Sequence, residues 1–532
     1  MKKNLKLAAL VLAAIMMMTT SAMAFDWDTA TGVEFPLKES AEYTYMIPEN
    51  PNYKLIQDGE IMEYFREKTG IRIVFQPVPN ENYNEKYNIT MGSGNLPDIV
   101  TPRQAYMYGP QGMFLNLADY SEYTPNFNKL LEEHPEYKSS FVCNDGGIYH
   151  MATVMEDPIS RIQYCIMYRE DIIQELGMEV PSDEEGWYNL LKAVKQAYPD
   201  MVPFCFPKDD WRFSVAFAGY YLNDNMRYDF DTGKWVYSPA TENYKAALTF
   251  ANKLYTEGLL DQEFLSLTKN DMDQKFYSGQ LFAGITHNWG GSSAGMNKKL
   301  RESGDEKIWL GETAPWGTPF GQRFIPSSTP VYGYDDNRAI AFSANIKNPE
   351  AVIAYFDYVC YSQEGALTQA YGIEGKHWTM TEYGPDYLGD QVQMALNGES
   401  SYTVLGGSDR FPRITAANIW YKDAFKTYNE TVLATDIYSQ HRKAMLDKLG
   451  PFVDSRFAPN MILFMDADQL ERVSELKTLL NTIFFEYRTA LITGRRPMSD
   501  WDEMVAQLKS SGYEELVEIY NTAQAAFDAI NK

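Results

Sequence analysis

Apolar positions along this chain follow two alternating periods. Tyr43 to Ile47 is a short apolar run of strand length. Ile61, Met62 and Phe65 then share one face of a helix that Gly70 stops, and Ile71, Ile73 and Phe75 alternate as in a strand. Tyr83, Tyr87 and Met91 return to a four-residue spacing before the strand-like Asp98-Ile99-Val100. Helix and strand alternating across short turns predict a parallel-rich α/β layer. In the middle, Ser182 to Glu185 reads as a capping box, with the serine at N-cap and Glu185 reaching back, ahead of Trp187, Leu190, Leu191 and Val194. Asn348 and Pro349 suit the N-cap and first position of another helix, with Val352, Phe356 and Val359 on its buried side. The tail is different. Leu470 through Tyr487 carries one long amphipathic helix ending near Gly494; Ser499 caps the next, which holds Trp501, Val505 and Leu508 and ends at Gly512. No internal repeat, low-complexity tract or Pro/Ser linker interrupts the pattern, so short crossovers rather than a tether are expected between domains.

The first residues do not belong to that pattern. Lys2, Lys3 and Lys6 precede an apolar run, Leu7 to Met18, too short to span a bilayer comfortably, and Ala22-Met23-Ala24 follows as a small-x-small cleavage signal. Residues 1–24 are therefore expected to be a signal peptide, removed before Phe25. No cysteine lies near that site to carry an acyl anchor, so the expected location is periplasmic or secreted, without a lipid anchor. Cleavage removes three lysines and no acids, taking the formal charge from −25 to −28. An acidic chain argues against nucleic acid and anionic membrane as partners. At 508 residues the remainder exceeds the size of one core, so two lobes or more are expected. Cys143, Cys165, Cys205 and Cys360 show no CxxC pair and no metal spacing. Disulfides would be possible in an oxidising compartment, but a core this large needs no staples and buried free thiols are the favoured reading.

Four stretches in order then resemble one family, the extracellular solute-binding proteins of carbohydrate ABC importers. They are Glu67 to Ile71 with Met91 to Val100; Tyr168 to Asp171 with Leu176-Gly177 and Val180-Pro181; Leu254 to Glu263 with Phe276 to Gly279; and Lys347 to Ala351 with Tyr371 to Gly375. Within the family the likeness is to the larger members, including periplasmic alginate-oligosaccharide binders, through Thr286-His287-Asn288-Trp289, Gln322-Arg323-Phe324 and Pro497 with Trp501-Asp502. Those binders carry an acidic calcium loop after the helix that corresponds to the one holding Trp187. Here Tyr198 to Pro203 stands in its place, with the single carboxylate of Asp200. Calcium needs about six to eight oxygens, so no metal and no cofactor are expected.

Sugar recognition combines flat aromatic faces with planar polar side chains, and ten Trp and 14% aromatics permit that design. Most aromatics serve packing; Trp187, Trp501 and Phe484 are assigned to cores. Trp289 follows the strand-like run Phe282 to Thr286 and matches the family's stacking tryptophan; Trp420 resembles a second stacking position. Trp211 and Arg212 read as an exposed loop, and Trp316 and Trp378 are weaker stacking candidates. Gln322 and Arg323 lead the hydrogen-bonding candidates, against a bland surface-turn role. Arg161, near a hinge, His287, which could equally be a structural histidine, and Asn288 complete the set. Gly291 to Gly295 satisfies G-x-S-x-G, but Ser293 lies several residues beyond the strand, where a Gly/Ser loop opening a helix is the simpler reading.

The resemblance thus implies an α/β, two-lobed periplasmic-binding-protein fold (type II), with a ligand cleft between lobes and a helical C-terminal extension. Expected boundaries are 25–158 plus 318–370 for lobe one and 159–317 plus 371–532 for lobe two. The expected function is non-enzymatic: a monomer that captures an oligosaccharide and delivers it to the membrane permease subunits of an ABC importer. The rivals are a secreted glycoside hydrolase or lyase and a sugar sensor feeding a chemoreceptor.

Overall fold

The computed structural model describes residues 33–49, 55–154, 164–207, 210–287, 292–325, 331, 338–388, 430, 433–434, 436–454 and 456–530. Two compact units divide it: 1–156 with 331–428, and 157–330 with 429–532. The divides fall at 156/157, 330/331 and 428/429, against 158/159, 317/318 and 370/371 expected from the sequence. Hydrogen bonds explain the shifts. Thr318 and Ile325 bond into the second unit, through Gly219 and Phe452. Trp378 to Thr381 pairs with Gly384 to Tyr387, and Lys376 contacts Glu60, both within the first unit.

The strands of the two main sheets are β1 (Ala41–Glu49), β2 (Ile71–Pro79), β3 (Ile99–Val100), β4 (Met151–Ala152), β5 (Tyr164–Arg169), β6 (Val202–Cys205), β7 (Leu281–His287), β8 (Leu310–Thr313) and β9 (Ala339–Phe342). The helices that matter below are α1 (Glu60–Thr69), α2 (Tyr83–Ser93), α3 (Pro125–Glu133), α4 (Glu184–Ala197), α5 (Asp210–Ala216), α6 (Glu242–Thr256), α7 (Ser292–Glu302), α8 (Pro349–Tyr361), α9 (Ile437–Leu449), α10 (Ala467–Ile492), α11 (Trp501–Ser510) and α12 (Tyr513–Ile530).

In the first unit the sheet order is β2-β1-β3-β9-β4. β1 lies parallel between β2 and β3, and β9 enters antiparallel between β3 and β4. An interior parallel strand is covered on both faces, which is why Tyr45, Met46 and Ile47 are all buried in succession. The edge strand β2 keeps strict alternation instead, with Ile71, Ile73 and Phe75 inward. α1 lays Ile61, Met62 and Phe65 on this layer; each such buried side chain contributes roughly 1.5–3 kcal/mol. Gly70 ends α1 at φ 74°, donating to the Arg66 carbonyl, and a Cβ there would also meet the Leu37 nitrogen at 2.9 Å.

The second unit has a mixed sheet, β8-β5-β7-β6, in which only β6 and β7 run parallel. α4 buries Trp187, Leu190, Leu191 and Val194 as expected, but its cap lies one residue later than expected: Asp183 accepts from the Gly186 amide. Asn348 does occupy the N-cap of α8 with Pro349 first in the helix, yet it sits at φ 49° and its side chain makes no capping bond. The tail is helical, as expected, in three helices. α10 stops before Gly494 (φ 72°), and Asp500 rather than Ser499 precedes α11. Phe484 of α10 packs edge-on against Tyr244 of α6, and Arg488 pairs with Asp224 at 2.9 Å. All four cysteines are buried and none forms a disulfide.

Candidate functional site

In open α/β sheets, ligand-contacting groups gather beyond the carboxyl ends of the strands. In the second unit that edge is marked by the ends of β6, β7 and β8, opposite the start of β5, where His287 pairs with Tyr164. Arg323 returns to the same edge. Its Nη2 donates to Thr313 Oγ1 (2.6 Å) and to the Ala314 carbonyl (3.2 Å), and its Nε donates to the Pro315 carbonyl (3.4 Å). The guanidinium lies 4.6 Å from the centre of the Phe452 ring. All its acceptors are neutral oxygens. Burial lowers its pKa, though arginine stays charged at any working pH. Among the described residues no carboxylate pairs with this cation, and its plane is fixed, an arrangement suited to ligand hydroxyls or a carboxylate.

Arg323 and its exposed neighbour Gln322 line a groove of about 1030 Å³ whose other walls include Ser182 to Glu185, the turn Thr318 to Gly321, and Phe452. Glu184 is the electrostatically unusual member. Burial pushes its carboxyl up to about 7, the Lys253 ammonium opposing, and it hydrogen-bonds the Tyr220 hydroxyl. The first turn of α4 therefore brings both a carboxyl of raised pKa and the capped helix start to the groove wall.

The other expected site residues fare differently. His287 closes β7, and Trp211 with Arg212 lies on α5, so that segment is helical rather than the loop expected. Arg161, Asn288, Trp289 and Trp420 lie outside the described residues. The weaker stacking candidates Trp316 and Trp378 are core residues, 1% and 2% exposed. Trp316 packs against Trp187, Phe204, Phe217 and Phe250, and Trp378 donates to the Gly372 carbonyl at 2.7 Å. Trp187, Trp501 and Phe484 are buried, as expected.

Ser293 of the G-x-S-x-G stretch is the second residue of α7 and fully buried. A nucleophile elbow needs its serine on the turn directly after a strand. Here the Ser293 hydroxyl meets His441 Nε2 of α9 at 3.0 Å, and its amide donates to Glu312 Oε1 at 2.7 Å. Glu312 occupies the amide at the start of α7, so the network holds β8, α7 and α9 together. Among the described residues no group of three or more His, Cys, Asp or Glu side chains is placed to hold a metal ion.

One feature of the first unit carried no signal in the periodicity. Beyond the carboxyl end of β3, Gln104 is exposed and left-handed at φ 52°. Strain of this kind in a non-glycine residue clusters at ligand sites. Its neighbour Arg103 stacks 4.8 Å from the Tyr83 ring centre and donates to Asn84 Oδ1 at 2.9 Å. Only Pro102, two residues past the strand, hints at the turn.

The sequence matches the family described as bacterial extracellular solute-binding protein over residues 48–360. It is 23% identical over 521 residues to the fructooligosaccharide ABC transporter substrate-binding protein FusA of Streptococcus pneumoniae serotype 4, covering 92% of this chain and 91% of that one. It is 24% identical over 541 residues to the lipoprotein LipO of Bacillus subtilis, covering 97% of each. Among solved structures, the alginate-binding protein AlgQ2, crystallised without calcium ion, superposes with a TM-score of 0.63 at 21% identity, covering 92% of this chain and 99% of that one; this likeness bears on the fold. The match over residues 48–360 spans more than half of the chain and runs from the end of β1 into α8. The chain belongs to the bacterial extracellular solute-binding protein family.

Proposed function

We propose that this protein is the extracytoplasmic, sugar-capturing component of an ABC importer, binding an oligosaccharide without altering it and handing it to the permease subunits. The observation that carries this reading is the near full-length likeness to a fructooligosaccharide ABC transporter substrate-binding protein. The groove of the second unit supports it, with a planar cation, an amide and aromatic rings on its walls. In this reading Trp289 and Trp420 stack on the sugar, and Arg323 and Gln322 hydrogen-bond its hydroxyls. Trp211, Arg212, Arg161, His287 and Asn288 are the further candidate contacts. Burial of Ser293, with its amide engaged by Glu312, counts against a serine hydrolase.

The protein acts outside the cytoplasmic membrane and as a monomer. LipO is named a lipoprotein, whereas the first cysteine in this sequence is Cys143.

A thermal-shift panel of neutral and uronic oligosaccharides tests the reading. Specific binding adds RT ln(1 + [L]/Kd), about 2.7 kcal/mol at a hundredfold excess over Kd, and one sugar class is expected to raise Tm by several degrees. Unchanged sugar must be recovered afterwards. If a peptide shifts the transition and no sugar does, or if the sugar is cleaved, the reading fails.

A further inference from the structure

The groove containing Arg323 does not end at the turn Thr318 to Gly321. A second depression of about 670 Å³ opens on the other side of it, between the start of α4 and one face of α6. Glu184, Glu185, Pro319 and Phe320 line both. The turn is therefore a ridge with a binding hollow on each flank. A complete small-molecule site occupies roughly 300–1000 Å³. Two hollows of this size in series are more than a mono- or disaccharide fills.

The ridge presents an aromatic ring on a braced turn. Phe320 is 41% exposed, with its ring centre 5.8 Å from that of buried Tyr220. Thr318 and Gly321 exchange backbone hydrogen bonds at 2.8 and 3.2 Å. The Thr318 hydroxyl donates to the Gly219 carbonyl at 2.6 Å and accepts from the Phe320 amide at 3.1 Å. Gly321 is pressed against the same wall: a Cβ there would lie 2.0 Å from the Tyr221 ring. A ring carried on a turn whose backbone is braced by this many contacts needs little backbone ordering to engage a ligand. Around it stand hydroxyl-binding groups of mixed sign. Glu184, Glu185 and Glu242 are offset by Lys245 and Lys253, while Asn189 is exposed on α4. This mixture favours a neutral polyhydroxyl chain over a polyanion.

We propose that the hollow between α4 and α6 is an extension subsite. It receives the sugar units of a longer oligosaccharide that cross the ridge with one ring stacked on Phe320, while the units before the ridge contact Arg323 and Gln322. The proposal rests on the sugar-binding reading above and adds a length preference to it. A peptide is the competing occupant.

The test is isothermal titration of the intact protein with size-graded fructo-oligosaccharides of two to six units and with matching malto- and galacturono-oligosaccharide series. Affinity is expected to rise with length in one neutral series. Phe320→Ala should weaken the longest members roughly three- to tenfold more than it weakens the shortest bound member, the scale of one aromatic contact. Asn189→Ala, on the far wall, should follow the same length dependence. Affinity independent of length overturns the extension, as does a Phe320→Ala loss equal at every length or absent throughout; in those cases sugar binding itself stands. If no series binds and a peptide does, both readings fall together.

Discussion

Arg323 shows how much one side chain decides. Three neutral acceptors and the Phe452 ring fix its plane, so its role could be to brace the end of β8 or to meet a ligand. The two roles separate experimentally. Arg323→Lys keeps the charge but loses the planar fork. We expect sugar affinity to fall about tenfold in the lysine variant and roughly 10- to 100-fold in Arg323→Ala, since hydrogen bonds to a charged group contribute about 1.5–3 kcal/mol. The melting temperature of the free protein should change little by comparison. A brace alone would give the reverse: a lowered Tm and an unchanged Kd. The residue itself was legible in the sequence only through its resemblance to a family motif. Nothing in Gln322-Arg323-Phe324 announces the Thr313 hydroxyl ten positions earlier, or Phe452 far beyond.

Single elements were the most legible part of the chain, because their signals are local. The apolar spacing of α1, its stop at Gly70 and the alternation in β2 all reflect interactions within a few residues. Caps are less legible. Ser182 and Asp183 are both good capping residues, and the choice between them depends on where Trp187 must point to reach the core. Pairing at long range was not legible at all. β9 inserts between β3 and β4 although Ala341 pairs with Val100 and Ala339 with Ala152, far apart in the chain, and no pattern in any of these strands names its partner. Trp316 failed as a stacking candidate for the same reason, since Trp187, Phe204, Phe217 and Phe250, which pack against it, are distant in sequence. One such distant contact has a measurable consequence. Thr124, at the N-cap of α3, makes no capping bond with its side chain. Asp357 of α8 takes its place, accepting from the Phe127 amide (2.8 Å), the Asn126 amide (3.1 Å) and the Asn126 side chain (2.8 Å). Asp357→Ala strands two helix-end amides in the core and should cost about 2–4 kcal/mol in urea denaturation at pH 7. Asp357→Asn, which keeps an acceptor, should cost at most half of that. Equal losses would mean that packing, not capping, is what Asp357 supplies.

At the scale of the whole molecule, stability against pH follows from buried groups rather than from the large negative charge on the surface. Two of them share the first unit and act in opposite directions. Burial pushes fully enclosed His150 down to about 4. Its fold-stabilising contribution is complete above its ordinary pKa of 6.5 and is lost as pH falls towards 4. Burial pushes Asp357 up to about 7, against the three donors that favour its charge. Its contribution is complete below its ordinary pKa of 3.8 and is lost as pH rises through 7. Between pH 4 and 7 the two slopes largely cancel, each carrying roughly 3 kcal/mol across the interval. Removing either group should expose the other. Relative to the intact protein, His150→Phe should become progressively less stable as pH rises from 4 to 7. Asp357→Asn should instead lose stability as pH falls over the same range. Urea midpoints at pH 4, 5.5 and 7 give both slopes, and the sign of each is the decisive quantity. Slopes of the same sign would mean that one of these groups is solvated in the folded state. Parallel profiles for both variants and the intact protein would mean that neither titrates as its burial requires.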